Sequence, residues 1–104
     1  EPYVYNNTLA SNAQQGVYAN NTSGGWVRNN VVIGNGSAIS STATATNNLT
    51  TGTPSGVFVA PESDNYRLKA EEAAVGSIGT DIAATDIEGA SRAGTASKGA
   101  YEYA

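Results

Sequence analysis

The sequence predicts an all-β fold built as a solenoid, and three observations lead there. No clean helical period runs through residues 1–60, where short β-rich pieces alternate with Asn, Gly and Ser. An Asn-Asn motif recurs at intervals close to the length of one solenoid coil. The charge is also split: residues 1–60 carry only Glu1 and Arg28, whereas residues 61–104 carry twelve charged side chains, eight of them acidic. The expected organisation is a single domain with coils over residues 1–60 and a capping segment over residues 61–104.

In chain order, the strand-forming pieces are Tyr3 to Leu9, Gly16 to Ala19, Trp26 to Ile33, Thr42 to Leu49 and Gly56 to Ala60. Aligning the Asn pairs brings out the repeat: Val4-Tyr5-Asn6-Asn7-Thr8, Val27-Arg28-Asn29-Asn30-Val31 and Ala45-Thr46-Asn47-Asn48-Leu49, spaced by 23 and then 18 residues. Asn suits a tight turn because it tolerates left-handed backbone angles. Stacked copies would set Asn7, Asn30 and Asn48 above one another as an amide ladder with a strand spacing of about 4.8 Å. Generic Asn-rich turn chemistry would also account for the pairs. A fourth pair, Asn20-Asn21, falls between the first two and would end a different strand of the same coil. Five N-x-Ser/Thr sequons, at Asn6, Asn20, Asn21, Asn35 and Asn48, compete with the ladder, since a buried amide cannot carry a sugar and only exposed copies such as Asn35 could.

Composition narrows the function. A chain of 104 residues and 10.6 kDa holds one domain. Charged residues make up 13%, about half the usual share, and Ala, Gly, Asn, Thr and Ser together supply more than half of the chain. Without Cys or His, disulfide scaffolds, haem ligation and every His-dependent mechanism are excluded. A net charge of −4 and a pI near 4.4 argue against nucleic acid and anionic membranes as partners. No run of apolar residues is long enough for a transmembrane helix. The Glu-Pro start, with no initiator Met, reads as a processed mature chain or as the ordered part of a longer one.

From Pro61 onward the pattern changes to Asp64-Asn65-Tyr66-Arg67-Leu68, Ala73-Ala74-Val75-Gly76, Thr85-Asp86-Ile87-Glu88-Gly89-Ala90-Ser91-Arg92 and Gly99-Ala100-Tyr101-Glu102-Tyr103. These four motifs, in this order, resemble the C-terminal end of secreted β-helix proteins of the choice-of-anchor Q type, which are related to polysaccharide lyases. That family typically closes with DYRL, SPAIGAG, TDIDGNPR and IGAYEY segments. Here Glu72-Ala73 replaces the Ser-Pro, Glu88 the second Asp, and Ala90-Ser91 the Asn-Pro. The resemblance implies a right-handed parallel β-helix of about three coils followed by an irregular C-terminal cap, in a secreted, extracellular or cell-surface protein.

The candidate chemistry is sparse. Trp26 and Arg28 are two apart, hence on one face of a strand, where a ring and a guanidinium could contact an acidic sugar. A surface Arg lying over an exposed ring explains them equally. Asp86 and Arg92, six apart across Gly89, suit an ion pair fixing the cap. Tyr66, Leu68, Val75, Ile78, Ile82, Ile87, Tyr101 and Tyr103 are candidates to cover the apolar end of the coils. The acidic residues lack the close spacing of a calcium loop, so no metal or cofactor is expected. Thr42, Thr44 and Thr46 form an ordinary polar strand face. No catalytic residue is nominated.

Two functions are compatible with this reading. The chain is expected to be a structural or assembly subunit that stacks on itself through Tyr3, Val4 and Tyr5, extending into filaments. Alternatively, it is the non-catalytic C-terminal end of a secreted polysaccharide lyase or glycoside hydrolase, its partner being the upstream coils of a longer parent.

Overall fold

The structure, a computed structural model, describes residues 3–20, 23–69, 85–92 and 97–102. Seven short strands come first: β1 (Tyr3–Tyr5), β2 (Thr8–Ala10), β3 (Gln15–Ala19), β4 (Trp26–Arg28), β5 (Val31–Ile33), β6 (Ser37–Ser41) and β7 (Thr44–Thr46). A four-residue helix, α1 (Pro54–Val57), runs directly into β8 (Phe58–Ala60), and a 3-10 turn (Pro61–Ser63) leads to β9 (Asn65–Leu68). Residues 85–92 and 97–102 follow as irregular backbone with a bridge between Thr85 and Ser91.

The spacing of the Asn pairs sets the strand register. The offset of 23 residues puts Tyr3, Val4 and Tyr5 beside Trp26, Val27 and Arg28, in parallel, and Leu9 beside Val32. The offset of 18 puts Val27 beside Ala45. Directly after β1, β4 and β7 stand Asn6, Asn29 and Asn47, with φ of 55°, 59° and 54°, the left-handed angles that Asn accepts more readily than most residues.

This pairing does not amount to a right-handed parallel β-helix, and that expectation is corrected. The strands form four small separate sheets: a three-stranded β1-β4-β7, two two-stranded parallel sheets, β2-β5 and β3-β6, and an antiparallel β8-β9 pair. About three coils were expected, but among the described residues only one sheet receives a third strand. The body is a compact globule measuring 36 × 31 × 20 Å. The physical reason lies in residues 47–57. Beyond β7, among the described residues, the parallel pairing continues only as a bridge between Leu49 and Val31. Next, the Thr53 side chain caps Gly56 N–H and Pro54 opens a helical turn, so the backbone turns away where a further strand beside β6 would be needed. The antiparallel β8-β9 pair then straddles the expected 60/61 boundary.

Two apolar clusters hold the globule together. Val17, Val27 and Ala43 form one, lined by Val4, Leu9, Ala19 and Ile39. Val31, Ile33, Val57, Phe58 and Leu68 form the other, with Ala10, Leu49 and Tyr66 against it. The Phe58 ring meets Tyr66 edge-on at 5.2 Å. Strand β3 can approach β5 because Gly16 has no side chain: a Cβ there would lie 2.4 Å from Val32 Cγ1 and 3.0 Å from the Ala38 carbonyl oxygen. Of the residues expected to cover the coil end, Leu68 is buried, Tyr66 and Tyr101 are half-buried and Ile87 is exposed. Val75, Ile78, Ile82 and Tyr103 lie outside the described residues, as does the Ala73 to Gly76 motif.

Candidate functional site

Three places hold the residues singled out in the sequence. At the first, the Asn7 backbone N–H and Nδ2 donate to Asn30 Oδ1 at 2.9 and 3.2 Å, and the Asn30 N–H and Nδ2 donate to Asn48 Oδ1 at 3.1 and 2.9 Å. Each amide also reaches a main-chain oxygen: Asn30 Nδ2 donates to the Val4 carbonyl at 3.0 Å and Asn48 Nδ2 to the Val27 carbonyl at 2.9 Å. The ladder is therefore directional, the side-chain oxygens of Asn30 and Asn48 each accepting from the Asn one pass earlier.

A second, shorter ladder escaped the sequence reading. Asn12 N–H and Nδ2 both donate to Asn35 Oδ1, at 3.0 and 2.7 Å, and Asn35 Nδ2 donates to the Leu9 carbonyl at 3.0 Å. Its signal was present, since Asn12 and Asn35 are also 23 apart, but single Asn residues do not stand out as Asn-Asn pairs do. Asn35 is consequently a poor sugar acceptor, because its amide nitrogen is already engaged.

The second place is the outer face of the β1-β4-β7 sheet. Arg28 Cζ lies 4.2 Å from the centroid of the Trp26 ring, and Tyr3 meets that ring edge-on at 4.5 Å. Trp26 Nε1 is buried with no hydrogen-bond partner. The ring is thus covered by its own neighbours, which leaves little of it for a sugar to stack on. Strand β1 is outermost in this sheet, and Tyr3 and Tyr5 are 49% and 42% exposed.

The third place is a buried polar knot between residues 85–92 and 97–102. Asp86 and Arg92 both belong to it, but each spends its hydrogen bonds elsewhere than on the other. Asp86 Oδ1 accepts from the backbone N–H groups of Glu88 and Ala90, and Oδ2 accepts from that of Glu102. The Arg92 guanidinium donates to the carbonyls of Ser97 and Gly99, both at 2.8 Å, and forms its ion pair with Glu102 at 3.4 Å. Burial pushes the Asp86 carboxyl upward, but the three backbone donors and the nearby Arg92 charge outweigh it and hold the pKa below the usual Asp value. A buried charge such as Arg92 is tolerable only when so fully hydrogen-bonded. The knot is tied to the strands by Gly99 N–H to the Asn29 carbonyl at 2.7 Å and by Ala100 N–H to Thr8 Oγ1 at 2.9 Å.

A cleft of about 270 Å³ lies between the knot and the first pass, lined by Tyr5, Asn6, Asn7, Asp86 and Arg92 among others. Among its described lining residues, Asp86 is held by three backbone N–H groups and Arg92 by two carbonyls and Glu102. Among the described residues, no three acidic side chains gather to hold a metal ion. No family model, curated protein or solved structure matches the chain.

Proposed function

We propose that the chain is an extracellular structural subunit that assembles with other copies by strand addition at β1. One observation supports this above the rest: among the described residues β1, β2 and β3 are each outermost in their sheets, and the segment that carries them, residues 3–19, contains no charged residue and no Pro. Edge strands in proteins that must stay apart are usually blunted by Lys, Pro or a bulge, because an open ladder of backbone groups recruits another strand. In this segment the blunting residues are missing, and two half-exposed Tyr side chains stand on the edge strand. The low charge and the Asn, Thr and Ser-rich composition suit an extracellular setting.

Light scattering after size exclusion, repeated across a wide concentration range, tests this reading. The expected result is a mass that rises with concentration, and a constant monomer mass at every concentration would overturn it.

A further inference from the structure

The β1-β4-β7 sheet has two outer edges and the Asn ladder has two ends, and their geometries complement one another. In a parallel pair, the N–H and C=O of alternate residues face the neighbouring strand. Asn6 N–H donates to the Arg28 carbonyl, so Val4 shares its direction toward β4 while the backbone groups of Tyr3 and Tyr5 are directed away. By the same alternation, Val27 faces β7, and Thr44 and Thr46 face back, which leaves Ala45 directed outward from the far edge. The two outer edges therefore present the same alternation that already joins β1 to β4 and β4 to β7. The ladder agrees: among the described residues nothing donates to Asn7 Oδ1 at one end, and the Asn48 backbone N–H has no acceptor at the other. Ala45 is small and exposed, and in register it stands in line with Val27 and Val4.

Resting on the assembly reading above, we propose that the strand added to β1 is β7 of a second copy, parallel to it and with Ala45 opposite Val4. Asn48 of that copy then donates to Asn7 Oδ1, and the ladder passes from one molecule to the next. The contact is heterologous, so each added copy presents a fresh edge and growth is open-ended.

Two variants test the geometry, each spoiling one edge. Ala45→Asp places a carboxylate where Val4 of the neighbour would bury it, at a position exposed in the single chain. Tyr5→Pro removes an outward N–H that no strand inside the molecule uses. Each variant alone is expected to remain monomeric, while an equimolar mixture forms a particle of two copies through the one intact pair of edges. If Ala45→Asp alone still dimerises, or if the mixture fails to pair although the unmodified chain assembles, the β7-to-β1 contact is wrong and strand addition at β1 stands on its own. If the unmodified chain never assembles, both fall. Hydrogen exchange on the unmodified chain keeps the test independent of how well the variants fold. Assembly should protect the amides of Ala45 and Tyr5 together, whereas protection of Tyr5 without Ala45 would overturn the contact.

Discussion

Asn30 shows what one amide can hold. It is fully buried, and its side chain accepts from Asn7 and donates to Asn48 and the Val4 carbonyl. Truncating it would take the acceptor from the Asn7 N–H and one donor from the Val4 carbonyl, at contacts that are part-buried. Asn30→Ala should therefore cost about 1–3 kcal/mol in urea unfolding, the scale of losing several part-buried hydrogen bonds made by one buried amide. Asn48→Ala, at a half-buried position, should cost less. Asp86 carries a pH dependence. Its folded-state pKa lies below the unfolded value of about 3.9, so its contribution is complete above that pH and is lost as the pH falls through the folded pKa. In Asp86→Asn, the new NH₂ group opposes one of the three backbone donors. The variant should be less stable at neutral pH by about 1–3 kcal/mol and should show a shallower loss of stability in acid, read by thermal unfolding at a series of pH values. The residue-level reading of the Asn pairs was possible because an amide ladder needs a fixed spacing. The partner of Arg92 was not legible, because Glu102 is ten residues away and reaches it only through the fold of the last segment.

At the scale of elements, close approach depends on the smallest side chains. Gly16→Ala would drive a methyl into Val32 and the Ala38 carbonyl, which lie at 2.4 and 3.0 Å from the new atom. A cost of about 1–3 kcal/mol is expected, with the loss concentrated in hydrogen-exchange protection of β3 and β6. Strands β1, β2, β4, β5 and β7 follow from the repeat, since residues at equal offsets meet in register, whereas β6 (Ser37–Ser41) falls outside the strand pieces expected from the sequence. Strand β9 and the short helix did not follow from it. Both are set by local chemistry that interrupts the repeat: a Thr53 cap, Pro54 at the start of the turn and Pro61 after β8, with Asp64 at a φ of 56° turning the chain into β9.

For the molecule as a whole, the prediction is concentration-dependent assembly governed by the edges of one sheet. The exposed ion pair between Arg67 and Glu88 should contribute little to stability, and raising the salt concentration should leave the midpoint of unfolding almost unchanged. A large salt-induced shift would place more of the stability in surface charge than this arrangement allows. By itself, the sequence determined the strands that flank the Asn pairs, their register and the positions of the left-handed Asn turns, because backbone pairing at a fixed offset needs only local propensity and spacing. Tertiary structure alone decided how many passes are completed, which sheets receive a third strand and which carboxylate meets Arg92. Those outcomes depend on where residues distant in the chain find room to pack and hydrogen bonds to share, and the result is a globule of small sheets in place of the expected β-helix.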